Sequence, residues 1–119
     1  MSRPPIEPGS VWFCDFDPVR GHEQGKERAA LVISSAFHLQ LTGAALVSVL
    51  PLTSVERPGW LHRVPISAGV GWVITEQVRT LAAQRFRRLA HEISLTGNEL
   101  AEVQRILAKM LLLGTSGSK

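Results

Sequence analysis

The hydrophobic pattern of this chain changes period once, and that change restricts the fold more than any other feature. From Val11 to Thr75 the apolar residues come in short runs bounded by glycine, proline and polar stretches; in the last quarter they recur at helical spacing. Val11–Phe16, Ala29–Ser34, Ala45–Leu50 (closed by Pro51) and Gly71–Thr75 are each short and bounded, which suits buried strands better than helices. His62–Ile66 reads as a further strand that Pro65 confines to an edge or a bulge. Residues 37–44, with Gly43 marking the break, and 53–61 read as loops, and Glu76–Thr80 continues from the strand before it. Leu100, Val103, Leu107 and Met110 then form a helical stripe widened by Ile106 and Leu113. Thr96-Gly-Asn-Glu99 matches a capping box, with Leu95 and Leu100 at the flanking staple positions. Strands first and one helix last imply an α+β domain, its sheet curled into a small barrel to avoid long free edges.

A chain of 119 residues with 45% apolar and 19% charged residues is one ordinary globular domain, 1–119, without repeats or an internal linker. The proline-rich start, 1–8, and the Gly/Ser-rich end, 114–119, are expected to be loose. A formal charge of +3 permits an anionic partner without requiring one. The single cysteine, Cys14, excludes an internal disulfide and any multi-cysteine zinc site. The first residues hold no apolar targeting segment, and no apolar run reaches the ~18 to 20 residues of a membrane span, so a cytoplasmic protein with no membrane contact is expected.

Candidate chemistry gathers in three places. The charged loop between the first two strands, Asp15 to Arg28, ends on an arginine whose backbone the following strand should hold. Arg28 suits phosphate binding and stabilisation of developing negative charge; a surface ion pair with Glu27 or Glu23 is the alternative. Thr53 ends the third run, where its hydroxyl either donates to a phosphate or closes a turn on its own backbone. Glu76, Gln77 and Arg79 form a polar cluster after a strand, or simply an exposed strand end. His22, His38, His62 and His91 show no metal-ligand spacing, and no phosphate-cradling glycine motif or nucleophile elbow is present; no metal or cofactor is expected. Arg85, Arg87 and Arg88 surround Phe86, which reads as a solvated turn with Phe86 in the core. Trp12 and Trp72 read as core, and Trp60 as an exposed aromatic.

The order of these segments resembles the MazF/PemK toxins. Pro8-Gly-Ser-Val-Trp-Phe-Cys-Asp-Phe-Asp-Pro-Val-Arg-Gly-His-Glu-Gln24 is similar to that family's first strand and loop, Arg28-Ala-Ala-Leu-Val-Ile-Ser34 to its Arg-Pro-Ala-Leu-Val strand, Val49-Leu-Pro-Leu-Thr-Ser54 to its Pro-Leu-Thr turn, and Glu76-Gln-Val-Arg-Thr80 to its Glu-Gln-Ile-Arg motif. The resemblance covers roughly residues 8 to 113. It implies a small SH3-like β-barrel of the CcdB/PemK kind with a C-terminal helix, a homodimer, and a toxin restrained by a cognate antitoxin with an acidic disordered segment. It also implies metal-independent, sequence-specific cleavage of single-stranded RNA by the RNA's own 2′-OH, leaving a 2′,3′-cyclic phosphate and a 5′-OH. Arg28 and Thr53 stand at the family's catalytic positions; His22, Glu23, Gln24, Glu76, Gln77 and Arg79 are substrate-binding candidates. Ala29 departs from the usual proline, removing a φ constraint beside Arg28, and His22 stands where serine is common. A CcdB-like toxin that binds and inhibits DNA gyrase is the alternative from the same fold.

Overall fold

The computed structural model describes residues 3–16, 27–56, 59, 63–69 and 71–111. Seven strands and two helices follow in the order β1 (Val11–Asp15), β2 (Glu27–Val32), α1 (Ala36–Thr42), β3 (Leu46–Thr53), β4 (Arg63–Pro65), β5 (Trp72–Ile74), β6 (Arg79–Ala82), β7 (Phe86–Leu89) and α2 (Gly97–Met110), with one 3-10 turn at Ala83–Arg85. All pairings are antiparallel. The strands lie side by side as β4-β5-β3-β2-β1-β7, and β6 joins the first half of β3. The α+β architecture with a terminal helix is the expected one.

The strand β3 organises the rest. On one edge it pairs with β2; on the other, Leu46–Val49 pair with β6, and Leu52 and Thr53 pair with β5. The apolar run expected to stop at Pro51 therefore continues through it to Thr53. The reason is geometric. The Ser48 carbonyl faces β2, accepting from Ile33 N–H at 2.9 Å. Backbone polar groups alternate along a strand, so Pro51 turns its nitrogen to the opposite edge, into the gap between β6 and β5 where no ladder bond is lost. β4 lies at the end of the strand order, so Pro65 occupies an edge strand as anticipated.

Both faces of the central strands are buried, which is why their sequences read as continuous apolar runs instead of alternating ones. Trp12, Cys14, Ala30, Val32, Val47 and Val49 pack on one face with Leu81 and Phe86. Val11, Leu31, Leu50 and Leu52 pack on the other with Val64, Val73 and Ile93, under Leu95, Leu100, Val103 and Ile106 from the α2 region. Trp12 is fully buried, and its ring meets Phe86 edge-on at 5.7 Å. Trp72, expected in the core, is only half-buried.

α2 begins where the sequence places it. Thr96 Oγ1 accepts from Glu99 N–H at 3.1 Å, and the Glu99 carboxylate accepts from Thr96 N–H at 2.9 Å. Glu99 also accepts from Ser67 N–H at 2.8 Å, tying the helix to the segment after β4. Met110, expected in the apolar stripe, is exposed, and Leu113 lies outside the described residues.

Two expectations are corrected. Residues 37–44 are not all loop: α1 runs through Thr42, capped by Ser35 Oγ accepting from His38 N–H and ended by Gly43 at φ 62°. The N-terminal arm is not loose from Arg3 onward. Arg3 donates to the Phe86 and Ala83 carbonyls at 2.7 and 3.0 Å, its guanidinium stacks on Trp12, and Ile6 packs against the core.

Candidate active site

Arg28 follows directly from the ladder that holds it. It is paired with Cys14 across β1 and β2, one residue inside the strand start, so its Cα is fixed while its side chain remains half-exposed. Its guanidinium lies 5.5 Å from the centroid of the buried Phe16 ring. Among the described residues it makes no ion pair, with Glu27 or otherwise. Arg79 also comes to Phe16: its guanidinium is 5.1 Å from the ring centroid, and Nη2 donates to the Phe16 carbonyl at 3.2 Å. One aromatic ring thus anchors two cations, neither of which makes an ion pair among the described residues.

Thr53 ends β3. Its Oγ1 accepts from Val55 N–H at 3.1 Å, the local turn weighed above, and that bond leaves its O–H free to donate. Gly71 secures this turn: at φ 72°, a Cβ there would lie 1.9 Å from the Thr53 carbonyl oxygen. A side chain at 71 would displace the backbone that aims Thr53.

Arg28 and Thr53 meet in a cleft of about 250 Å³ lined also by Phe13, Ala29, Leu52, Ser54, Glu92 and Ile93. A larger hollow of about 450 Å³ lies by Arg3–Ile6 and Gly43–Ala45. It contains none of the expected site residues, and Arg3, its one charged side chain, is already bonded to two backbone carbonyls. The smaller cleft is the one that holds both expected catalytic residues.

The other sequence candidates divide. Glu76 and Gln77 are exposed in the turn after β5, and neither they nor Arg79 line the cleft. His22, Glu23 and Gln24 lie outside the described residues, as do Trp60 and His62. Sequence reasoning missed Phe13, Glu92 and Ile93. The i,i+4 spacing of Arg88 and Glu92 was the available signal: Arg88 Nη2 meets Glu92 Oε2 at 3.2 Å, and the Arg88 guanidinium stacks 4.1 Å from the Phe13 centroid. A hydrogen bond from its own backbone N–H, then the one from Arg88, hold the Glu92 carboxyl below the usual carboxylate range. The basic segment is part of strand β7 as well as a turn, with Phe86 buried as expected and Arg87 bonded to the buried Asp15 at 3.1 Å.

Cys14 is buried in the core with Trp12 and Phe86, and desolvation pushes its thiol up to about 12. It is therefore a core residue, not a nucleophile.

These strands, their order and the terminal helix recur in known proteins. A family model described as "PemK-like, MazF-like toxin of type II toxin-antitoxin system" matches residues 7–111. The chain is 30% identical over 109 residues to Endoribonuclease MazF9 of Mycobacterium tuberculosis (strain ATCC 25618 / H37Rv), covering 83% of this chain and 90% of that protein. Among solved structures, a MazE-MazF crystal structure (Form-II) from Deinococcus radiodurans superposes with a TM-score of 0.72 at 31% identity, over 93% of this chain and 97% of that one. An endoribonuclease in complex with its cognate antitoxin from Mycobacterial species shares the fold, with a TM-score of 0.72 at 20% identity over 96% of this chain and 100% of that one. The chain belongs to the PemK-like, MazF-like family of toxins of type II toxin–antitoxin systems.

Proposed function

We propose that this chain, as a toxin endoribonuclease of its family, cuts single-stranded RNA without a metal and that Arg28 and Thr53 carry the reaction. The supporting observation is that these two residues, distant in sequence, line one cleft. The reaction they suit is attack of a 2′-OH on the adjacent phosphorus. The O2′–P bond forms as the P–O5′ bond breaks, leaving a 2′,3′-cyclic phosphate and a 5′-OH. Charge builds on the non-bridging oxygens in that step. Arg28 binds them through its planar donor fork, and the Thr53 O–H donates a further bond. A guanidinium is a poor general base, so the main work of Arg28 is electrostatic. The 2′-OH requirement separates RNA from DNA.

The remaining assignments belong to the same reading. Arg79, fixed on Phe16 beside Arg28, binds a neighbouring phosphate; Glu76, Gln77, His22, Glu23 and Gln24 contact RNA further from the bond. The protein acts in the cytoplasm as a homodimer whose two copies give RNA a longer basic path. No helix among the described residues is long and apolar enough to cross a membrane. An antitoxin with an acidic, disordered segment competes with RNA for Arg28 and its neighbours. The gyrase-binding alternative has no use for an arginine and an unspent hydroxyl donor in one cleft.

Incubation with a long RNA in EDTA tests the reading. Cleavage should persist and leave cyclic phosphate ends. Activity that appears only with added divalent ion would sink it.

A further inference from the structure

The cleft of Arg28 and Thr53 has a part that phosphodiester chemistry leaves unused. Phe13, Ala29, Leu52 and Ile93 make its walls apolar, and Glu92 adds a carboxylate. Glu92 is exposed but not loose. Arg88 donates to its Oε2 at 3.2 Å and is itself stacked 4.1 Å from the centroid of Phe13, one of the cleft walls. Its carboxyl is held below the usual range by its own backbone N–H and by Arg88. A carboxylate so paired is a weak base but a permanent hydrogen-bond acceptor. Arg88 and the backbone N–H occupy two of the roughly four lone-pair sites of the carboxylate, so the group, which lines the cleft, keeps acceptor capacity.

We propose that this cleft receives one nucleobase of the RNA beside the scissile phosphate, and that Glu92 selects guanine by accepting two hydrogen bonds from its Watson–Crick edge. This rests on the assignment of Arg28 and Thr53 as the cutting site. A cavity of about 250 Å³ with an aromatic wall suits a single flat base. The selection follows from donor patterns. Guanine presents N1–H and N2–H side by side, matching the two oxygens of a carboxylate. Adenine and cytosine present one amino donor beside a ring-nitrogen acceptor, which a carboxylate repels. Uracil flanks its single N3–H with two carbonyl oxygens. Glu92 is thus a specificity residue, and Arg88 positions it.

The experiment maps cut ends in a long RNA by sequencing, with the native chain, Glu92→Gln, Arg88→Gln and Arg28→Ala. The native chain should require guanine at one fixed position beside the cut. Glu92→Gln should still cut, lose about tenfold of that preference, and gain adenine or cytosine there, because an amide offers one acceptor and one donor. Arg88→Gln should weaken the same preference. In a short substrate, inosine in place of the guanine removes N2–H; it should slow the native chain and leave Glu92→Gln unaffected. A purely structural role for Glu92 would lower all cutting without moving base preference. The inference is overturned if no guanine is fixed beside the cut, or if both variants keep the native preference; the Arg28 and Thr53 reading survives that result provided Arg28→Ala is inactive. Normal cutting by Arg28→Ala would overturn the reading instead, with the preference of Glu92→Gln then deciding base selection alone. A native chain that cuts no RNA overturns both.

Discussion

Arg28 is asked to do the most of any single side chain, and the geometry separates its proposed catalytic work from any role in holding the fold. Among the described residues its guanidinium makes no ion pair and stacks on the Phe16 ring, and the residue is half-exposed. Arg28→Ala should therefore abolish cutting while leaving the circular dichroism spectrum and melting temperature close to native. Normal activity in that variant would remove the centre of the argument. Thr53→Val should cost less, up to about 10² to 10³ in kcat for one lost donor to the developing charge. Part of that loss reflects the turn bond to Val55, which Thr53→Ser retains; Thr53→Ser should therefore recover most activity. Arg28 and Thr53 were legible because each sits at the end of an apolar run, where a strand must present a polar side chain. Glu92 was not, because its spacing from Arg88 says only that the two can pair; what brings the pair to the cleft is the stacking of Arg88 on Phe13, on a strand far away in the sequence. No periodicity connects the last two.

At the level of elements, legibility followed how much each segment depends on its own residues. α2 carries its start signal locally: Thr96 and Glu99 bond each other whatever surrounds them. Thr96→Ala should cost about 1 kcal/mol in denaturant unfolding. Glu99 adds a pH dependence. Bonds from Thr96 N–H and then Ser67 lower its carboxyl below the usual range. A carboxyl lowered on folding contributes stability that is complete above its unfolded pKa and is lost as pH falls through the folded value. Glu99→Gln should therefore flatten the acid limb of the stability curve; a variant with the native acid limb would refute that role. α1 was hidden because it is one short helix with Leu39 as its only buried residue, too little stripe to show a period. β3 was read as ending at Pro51 because the rule against proline in sheets assumes a partner on both edges. Only the tertiary arrangement of β5 and β6 shows that the partner is missing at that residue. Gly71→Ala should damage the site more than its position outside the cleft suggests. The new Cβ meets the Thr53 carbonyl at a distance that real atoms do not reach, so cutting should fall with little change in affinity for RNA held by the arginines.

At the scale of the whole molecule, Arg28 and Arg79 come together on one ring beside the cleft, so RNA affinity should respond to salt. If Arg28 and Arg79 each neutralise a phosphate, Arg79→Gln should weaken RNA binding and shallow the log K against log salt slope by about 0.7. An unchanged slope would place Arg79 outside the RNA path. Antitoxin binding should be less salt-sensitive, since part of it would cover apolar surface.

The double engagement of β3 reaches further. A strand bonded along both edges belongs to the last part of a fold to open. Deuterium uptake should be slowest at Val47 through Leu50, and slower there than along β4 at the sheet margin. Thr53 closes that same strand, so the placing of its hydroxyl is tied to the strand that opens last. Heating should extinguish cleavage and the sheet signal along one curve, leaving no temperature at which the barrel persists as an inert shell.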